Sequence, residues 1–176
     1  MIVLGISGSL RDQSSNTLLL SSVGGIMPVG TEFRMYRGLA LLPHFNPDLD
    51  EDDVQAHEAV RELRMELRAA DAIIICTPEY ARGVPGSLKN ALDWVVSTGE
   101  FMSKPTAVIS ASPHPDGGTT ARQSLMQTLQ MMGAVIPDEA SLSVPFVNKI
   151  VSQDGNIIDA NILSSLHLLI QALSQA

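Results

Sequence analysis

Short, wholly apolar runs alternate along this chain with longer stretches in which apolar residues recur every three or four positions. Met1–Ile6 is such a run and predicts a buried strand, and Asn16–Ile26 predicts a helix whose end is weakened by Gly24 and Gly25. Thr31–Tyr36 alternates, with Phe33 and Met35 between polar neighbours, as a second strand would. Gly38–Asp50 holds two prolines and predicts a loop. The segment DEDDVQAHEAVRELRMELRAAD, 50–71, crowds acids ahead of arginines, which complements a helix dipole. It predicts one helix, with Val54, Ala56, Val60, Leu63 and Leu67 on its apolar face and its charges on a solvated one. Ala72–Cys76 is all apolar and too short for a helix, the signature of a strand buried on both faces, and Thr106–Ala111 predicts another buried strand. Between them lie a loop, Thr77–Pro85, and a helix near Gly86–Ser97. Ser112–Gly118 is a further loop. Thr119–Met132 is a helix with Met126, Met131 and Met132 as core fillers. Ala134–Val144 contains the last strand. Asn156–Ala176 holds a helix with Ile162, Leu163, Leu166, Leu169, Ile170 and Leu173 in helical spacing.

Strands and helices thus alternate about five times, which predicts an α/β domain with helices on both faces of a parallel sheet. A single domain over 1–176 fits the flavodoxin-like three-layer sandwich, a five-stranded sheet of order 2-1-3-4-5. In such sheets ligands bind beyond the carboxyl ends of the strands, where the order reverses between strands 1 and 3. The loops at that place are Ser7–Ser15, Thr77–Pro85 and Ser112–Gly118, the three of most unusual composition.

Composition narrows the chemistry. Net charge is −8, which argues against general nucleic-acid binding. No apolar stretch approaches the roughly 18–20 residues of a membrane span, and no basic region precedes the first strand, so a soluble cytoplasmic protein is expected. The single cysteine, Cys76, ends an apolar run and reads as a small buried hydrophobe. His44, His57, His114 and His167 form no HxxxH or HExxH pair, so no metal site is expected.

The first loop, GISGSLRDQSSNTLL, reads as a phosphate cradle. Gly5 and Gly8 permit close approach or positive φ. Ser9, Ser14, Ser15, Asn16 and Thr17 supply hydroxyls and an amide, and the start of the first helix adds N–H groups. Arg11 supplies a charged fork. The loop has neither a G-K-[ST] nor a GxGxxG pattern, so it reads as a mononucleotide site. In the second loop Pro78, Pro85, Gly83 and Gly86 shape the chain, and backbone N–H groups from Glu79 to Gly83 are placed to meet the polar edge of a flat heterocycle. Lys89 and Asp93, four apart, are placed to pair on the following helix, while Trp94 is either a packing anchor or a ligand contact. In the third loop Ala111 and Ser112 end the fourth strand, Thr119 or Thr120 caps the next helix, and His114 reads as an exposed loop residue rather than a proton donor.

At these loops the chain resembles the NAD(P)H-dependent FMN reductases, a family that includes quinone, chromate and azo-dye reductases. GSLRDQSSN, LPHFNPDLD, AADAIIICTPEYARGVPGSLKNALDW and the MGA near Met132 carry the likeness. The resemblance implies bound FMN and a homodimer or homotetramer. It also implies passage of hydride from NADPH or NADH to flavin N5, and on to a small acceptor (a quinone, flavin, metal ion or azo compound) by ping-pong exchange. It implies that Ser9, Arg11, Ser14 and Asn16 hold the phosphate, with Ser15 and Thr17 adjoining. Pro78, Glu79 and Tyr80 would border the isoalloxazine, and Ala111 and Ser112 would touch the flavin. Ala81 stands where many relatives have asparagine, so any side-chain contact from that asparagine is missing while backbone contacts can survive; Arg82 and Gly83 follow, and Arg82 is a candidate for the phosphates of NADPH.

Two other functions fit parts of the pattern. A flavodoxin-type electron carrier suits the acidity, but carriers flank the flavin with aromatics, and these are only 4% of this chain. A serine hydrolase would use Ser7 or Ser9 with His114 as base, but GISGS departs from G-x-S-x-G because Ser9 stands at the second glycine.

Overall fold

In the computed structural model, which describes residues 1–50, 55–152 and 154–176, five strands form one parallel sheet. They are β1 (Ile2–Ser7), β2 (Glu32–Tyr36), β3 (Ala72–Thr77), β4 (Thr106–Ala111) and β5 (Ser141–Val144), in the order β2-β1-β3-β4-β5. The helices are α1 (Ser15–Gly25), α2 (Glu58–Ala69), α3 (Gly86–Asp93), α4 (Thr119–Met131), the short α5 (Val147–Ile150) and α6 (Ala160–Gln175). This is the expected three-layer topology.

Every residue of β3 and β4 is buried because both faces of the sheet are covered. Ile73 and Ile75 point to α2, α3 and α4, where they meet Val60, Leu63, Leu67, Leu88, Leu92, Leu125 and Leu129. Ile74 and Cys76 point the other way, to α1 and α6, among Leu19, Leu20, Val23, Leu166 and Leu169. The connections after β1, β3 and β4 therefore all open at one edge of the sheet, and the site forms there.

Four local expectations are corrected. Helix α2 begins at Glu58, not at Asp50; the His57 ring nitrogen Nδ1 accepts the Ala59 N–H at 3.2 Å and caps it. Ala56 is buried ahead of the helix, and Val54 lies outside the described residues. The charges of α2 are not all solvated: Arg64 is fully buried, and its Nη2 donates to Asp50 Oδ1 at 2.6 Å and to the Trp94 carbonyl at 3.0 Å. Helix α3 ends at Asp93 rather than Ser97 and passes into turns. Leu125 and Leu129 of α4 and Met132 just past its end share the buried face, and Met126 is half-buried. Met131, two residues past Leu129, falls off that stripe and is exposed rather than a core filler.

The glycines of the first two elements serve packing. A β-carbon on Gly5 would lie 2.5 Å from Phe33 Cζ, and one on Gly24 would lie 2.4 Å from Phe33 Cδ1. The ring of Phe33 thus occupies a slot between β1 and α1 that only two glycines leave open. Gly5 therefore takes no part in a phosphate loop. Gly8 does sit close: its N–H donates to the Cys76 carbonyl at 2.8 Å, and a β-carbon there would approach Thr77 Oγ1 to 2.9 Å. Gly5→Ala should lower the unfolding free energy by about 1–3 kcal/mol through overpacking. Adding Phe33→Leu should recover part of that loss in urea unfolding; strictly additive losses would contradict the slot.

Candidate functional site

Beyond the carboxyl ends of β1, β3 and β4 lies an open cleft of about 440 Å³. Its wall is built from Ser9, Arg11, Ser14, Ser15, Asn16, Pro78, Glu79, Tyr80, Ala111, Ser112, Pro113, His114, Val147 and Asn148. The three loops singled out in the sequence therefore meet.

The first loop is organised by the start of α1. Ser14 is its N-cap, extended at φ −82° and ψ 124°, and its hydroxyl accepts the Thr17 N–H at 3.3 Å. Thr17 Oγ1 and Ser7 Oγ share a 2.7 Å hydrogen bond, which turns Thr17 out of the cleft wall. The N–H groups of Ser15 and Asn16, first-turn donors of α1, find no acceptor among the described residues. Arg11 Nε and Nη2 both donate to the Gln13 carbonyl, at 3.1 and 2.5 Å, which folds the guanidinium against its own loop at the cleft edge. The result is a cluster of hydroxyls, helix N-terminal donors and one cation, with no carboxylate in the loop's share of the wall.

Asn16 does something the sequence did not reveal. Its side chain is buried, Nδ2 donates to the Ala111 carbonyl at 3.1 Å, and Oδ1 accepts from Cys76 Sγ at 3.4 Å. Burial pushes the Cys76 thiol well above its ordinary pKa, so it keeps the proton it donates. The amide thus ties α1 to the ends of β3 and β4, and the Asn16 backbone N–H, which has no acceptor among the described residues, is left to meet a ligand.

The second loop reaches the wall through Pro78, Glu79 and Tyr80. Glu79 Oε2 accepts the Ala121 N–H at 3.0 Å and so serves as the side-chain cap of α4; Gly118, rather than Thr119 or Thr120, is its N-cap residue. Tyr80 and Gly83 exchange two 3.0 Å backbone hydrogen bonds around Ala81 and Arg82, at φ +50° and +64°. This is a two-residue hairpin turn with both central residues left-handed, a geometry that favours Asn-Gly. The N–H groups of Tyr80 and Gly83 are therefore used within the turn and are not offered to a ligand. Ala81, Arg82 and Gly83 stand at the tip, outside the cleft wall.

In the third loop the Ser112 hydroxyl accepts the His114 N–H at 3.2 Å, and the Ser112 carbonyl accepts the Val147 N–H at 3.1 Å. The second bond brings Val147 and Asn148 into the wall. The sequence reading missed both, although they follow the end of the fifth strand on the same edge of the sheet. His114 lies exposed on the wall, and among the described residues no hydrogen bond joins it to Ser7 or Ser9, so no nucleophile–base pair is assembled. Among the described residues no group of three or more His, Cys, Asp or Glu is placed to hold a metal ion.

The helix after the second loop holds the scaffold. Asn90 Oδ1 accepts the Phe45 N–H at 2.7 Å, and Asn90 Nδ2 and Trp94 Nε1 both donate to the Pro43 carbonyl, at 2.9 and 2.8 Å. Trp94 is a buried packing anchor set edge-on to Phe45. Lys89 and Asp93 pair at 2.5 Å on the surface, as their spacing predicts.

The sequence profile described as NADPH-dependent FMN reductase matches residues 1–149. The chain belongs to this family. An NAD(P)H-dependent FMN reductase of Pseudomonas aeruginosa is 32% identical over 176 residues, covering 97% of this chain and 92% of that protein. A quinone reductase of Escherichia coli is 29% identical over 167 residues, covering 93% and 88%. Among solved structures, the flavoenzyme NAD(P)H:(acceptor) oxidoreductase FerB of Paracoccus denitrificans superposes with a TM-score of 0.87 at 29% identity, covering 99% of this chain and 97% of that one.

For a member of the FMN reductase family, the unsatisfied donors of the first loop suit a flavin phosphate. The left-handed pair at Ala81 and Arg82 carries strain of about 1–2 kcal/mol per residue, part of which a glycine relieves. Ala81→Gly should raise the unfolding free energy by about 0.5–1 kcal/mol net of the added chain entropy. Denaturant unfolding checks this, and a loss of stability would contradict the left-handed assignment.

Proposed function

We propose that the cleft holds FMN, with its phosphate in the first loop and its ring between the second and third loops, and that NAD(P)H and a small acceptor take turns at the open side. Family membership supplies the class: the chain is an FMN-binding oxidoreductase that uses NAD(P)H. The observation that carries the placement is the first loop, where free helix N-terminal donors, three serine hydroxyls and Arg11 converge without an acidic partner. These donors would hold a dianion at the end of the cleft. Each charge-assisted bond is worth about 1.5–3 kcal/mol.

Bound FMN supplies the redox chemistry, accepting two electrons from a nicotinamide and returning them to an acceptor. This chain's residues bind and orient. Ser9, Ser14, Ser15 and the Ser15 and Asn16 N–H groups fix the phosphate, and Arg11 neutralises it. Pro78, Glu79 and Tyr80 form one side of the ring site, and Ala111 and Ser112 the other. The turn at Ala81 and Arg82 stands beyond it, outside the wall. Tyr80, exposed at the mouth, borders the place where a nicotinamide or a quinone enters. A residue that attacks or protonates is not needed for such an exchange, which agrees with the absence of a hydrogen-bonded nucleophile–base pair among the described residues.

Small quinones are the acceptors this reading favours, as the E. coli relative is named for that reaction. Among the described residues no helix is long and apolar enough to cross a membrane, and a single buried free thiol suits a cytoplasmic setting. Self-association as a homodimer or homotetramer belongs to the same proposal, supported by Met102, Met131 and Val135, which are exposed around one turn region.

Purified protein titrated with FMN should show bound flavin bands that bleach when NADPH is added anaerobically and recover with a quinone. Arg11→Ala should weaken FMN binding by about 10- to 100-fold, in line with loss of one charge-assisted contact. Flavin bands that persist with both NADPH and NADH would instead assign the chain to electron carriage, and unchanged FMN affinity in Arg11→Ala would remove Arg11 from the phosphate site.

A further inference from the structure

We propose that Arg82 is a specificity-determining residue for the nicotinamide donor, its guanidinium meeting a phosphate of the dinucleotide outside the flavin cleft. This rests on the reading of the cleft as an FMN site.

The position comes first. The cleft wall on this side ends at Tyr80, and Arg82 stands two residues farther out, at the tip of the turn. FMN has one phosphate, and that group already has Arg11 and the start of α1. A cation at the tip therefore serves a different anion. A dinucleotide is longer than FMN. With its nicotinamide over the open side of the ring site, its remaining phosphates lie beyond the rim, where the turn projects.

The backbone gives an independent reason. Both central residues of the turn are left-handed, at φ +50° and +64°, yet neither is glycine or asparagine. A turn needed only to reverse the chain would be less strained with glycine at either place. Strain retained beside a binding cleft points to a side chain that is used, and of the two side chains only the arginine carries functional groups. The two 3.0 Å bonds between Tyr80 and Gly83 hold the tip in place, so the guanidinium starts from a fixed base.

Its charge is available. Arg82 is exposed, and no ion pair or side-chain hydrogen bond among the described residues engages it. On a chain of net charge −8, a polyanionic donor meets general repulsion, and a free guanidinium at the rim is a local attractor. The planar fork of arginine matches phosphate oxygens in a way lysine does not. The phosphate is either the 2′-phosphate of NADPH or the pyrophosphate that both donors carry, and kinetics separate the two.

The test compares FMN-loaded wild type, Arg82→Ala and Arg82→Lys with NADPH and with NADH. Calorimetric titration with 2′,5′-ADP accompanies it, on protein with and without flavin. Arg82→Ala should raise the KM for NADPH about tenfold and weaken 2′,5′-ADP binding to a similar extent. Its kcat at saturation and its FMN affinity should stay unchanged, and Arg82→Lys should fall between. A rise confined to NADPH assigns the 2′-phosphate; equal rises for both donors assign the pyrophosphate. Unchanged KM values and unchanged 2′,5′-ADP binding would overturn the proposal. So would a loss of FMN affinity that accounts for the whole effect, or a change of oligomeric mass with donor binding intact. Fluorescence quenching of FMN by the wild type tests the cleft reading separately, and 2′,5′-ADP binding to the flavin-free chain still tests Arg82 if that reading fails.

Discussion

The buried amide of Asn16 is the contact on which the cleft depends. It joins the first turn of α1 to the Ala111 carbonyl at the end of β4 and to the Cys76 thiol near the end of β3. These segments come from three distant parts of the chain, and a parallel sheet aligns their ends without fixing the loops that follow. A single side chain with one donor and one acceptor group closes that gap in the interior, where hydrogen bonds are strong and unpaired groups are costly. The protonation of Cys76 follows from the same burial. With this clamp in place, the N–H groups of Ser15 and Asn16 face the cleft in a fixed direction, the condition for a preorganised anion site.

A second set of bonds shapes the surroundings. Asn90 and Trp94 hold the Pro43–Phe45 segment against α3, and Arg64 bridges Asp50 to the Trp94 carbonyl. Glu79 spans from the second loop to the start of α4. The loop therefore cannot move without uncapping a helix. Motifs that look functional in the sequence thus divide in two: LKNALDW and LPHF stabilise the frame, and the serine loop with PEY and the end of β4 lines the cleft.

Much of this was legible in the residues. The wholly apolar Ala72–Cys76 announced a strand buried on both faces, Thr106–Ala111 read as another, and five strands alternating with helices fit the doubly wound order. The odd composition of three loops located the cleft. Other features were hidden because they depend on partners distant in the chain. Nothing local marks Asn16 as a buried clamp rather than a phosphate ligand, and nothing in an arginine-rich helix marks Arg64 as the buried one. Gly5 reads as a loop glycine until Phe33 is seen to fill the space above it. Val147 and Asn148 enter the cleft only through the bond from Val147 N–H to the Ser112 carbonyl. The left-handed turn at Ala81 and Arg82 was obscured because neither residue type advertises that conformation.

In the proposed function the first loop and the start of α1 hold a phosphate and thereby place the ring. The most direct test compares the affinities of the flavin-free protein for FMN and for riboflavin, which differ only in that phosphate. FMN should bind about a hundredfold or more tighter than riboflavin, since several charge-assisted bonds separate the two. Equal affinities would contradict it and move the anchor of the ligand away from Ser9–Asn16.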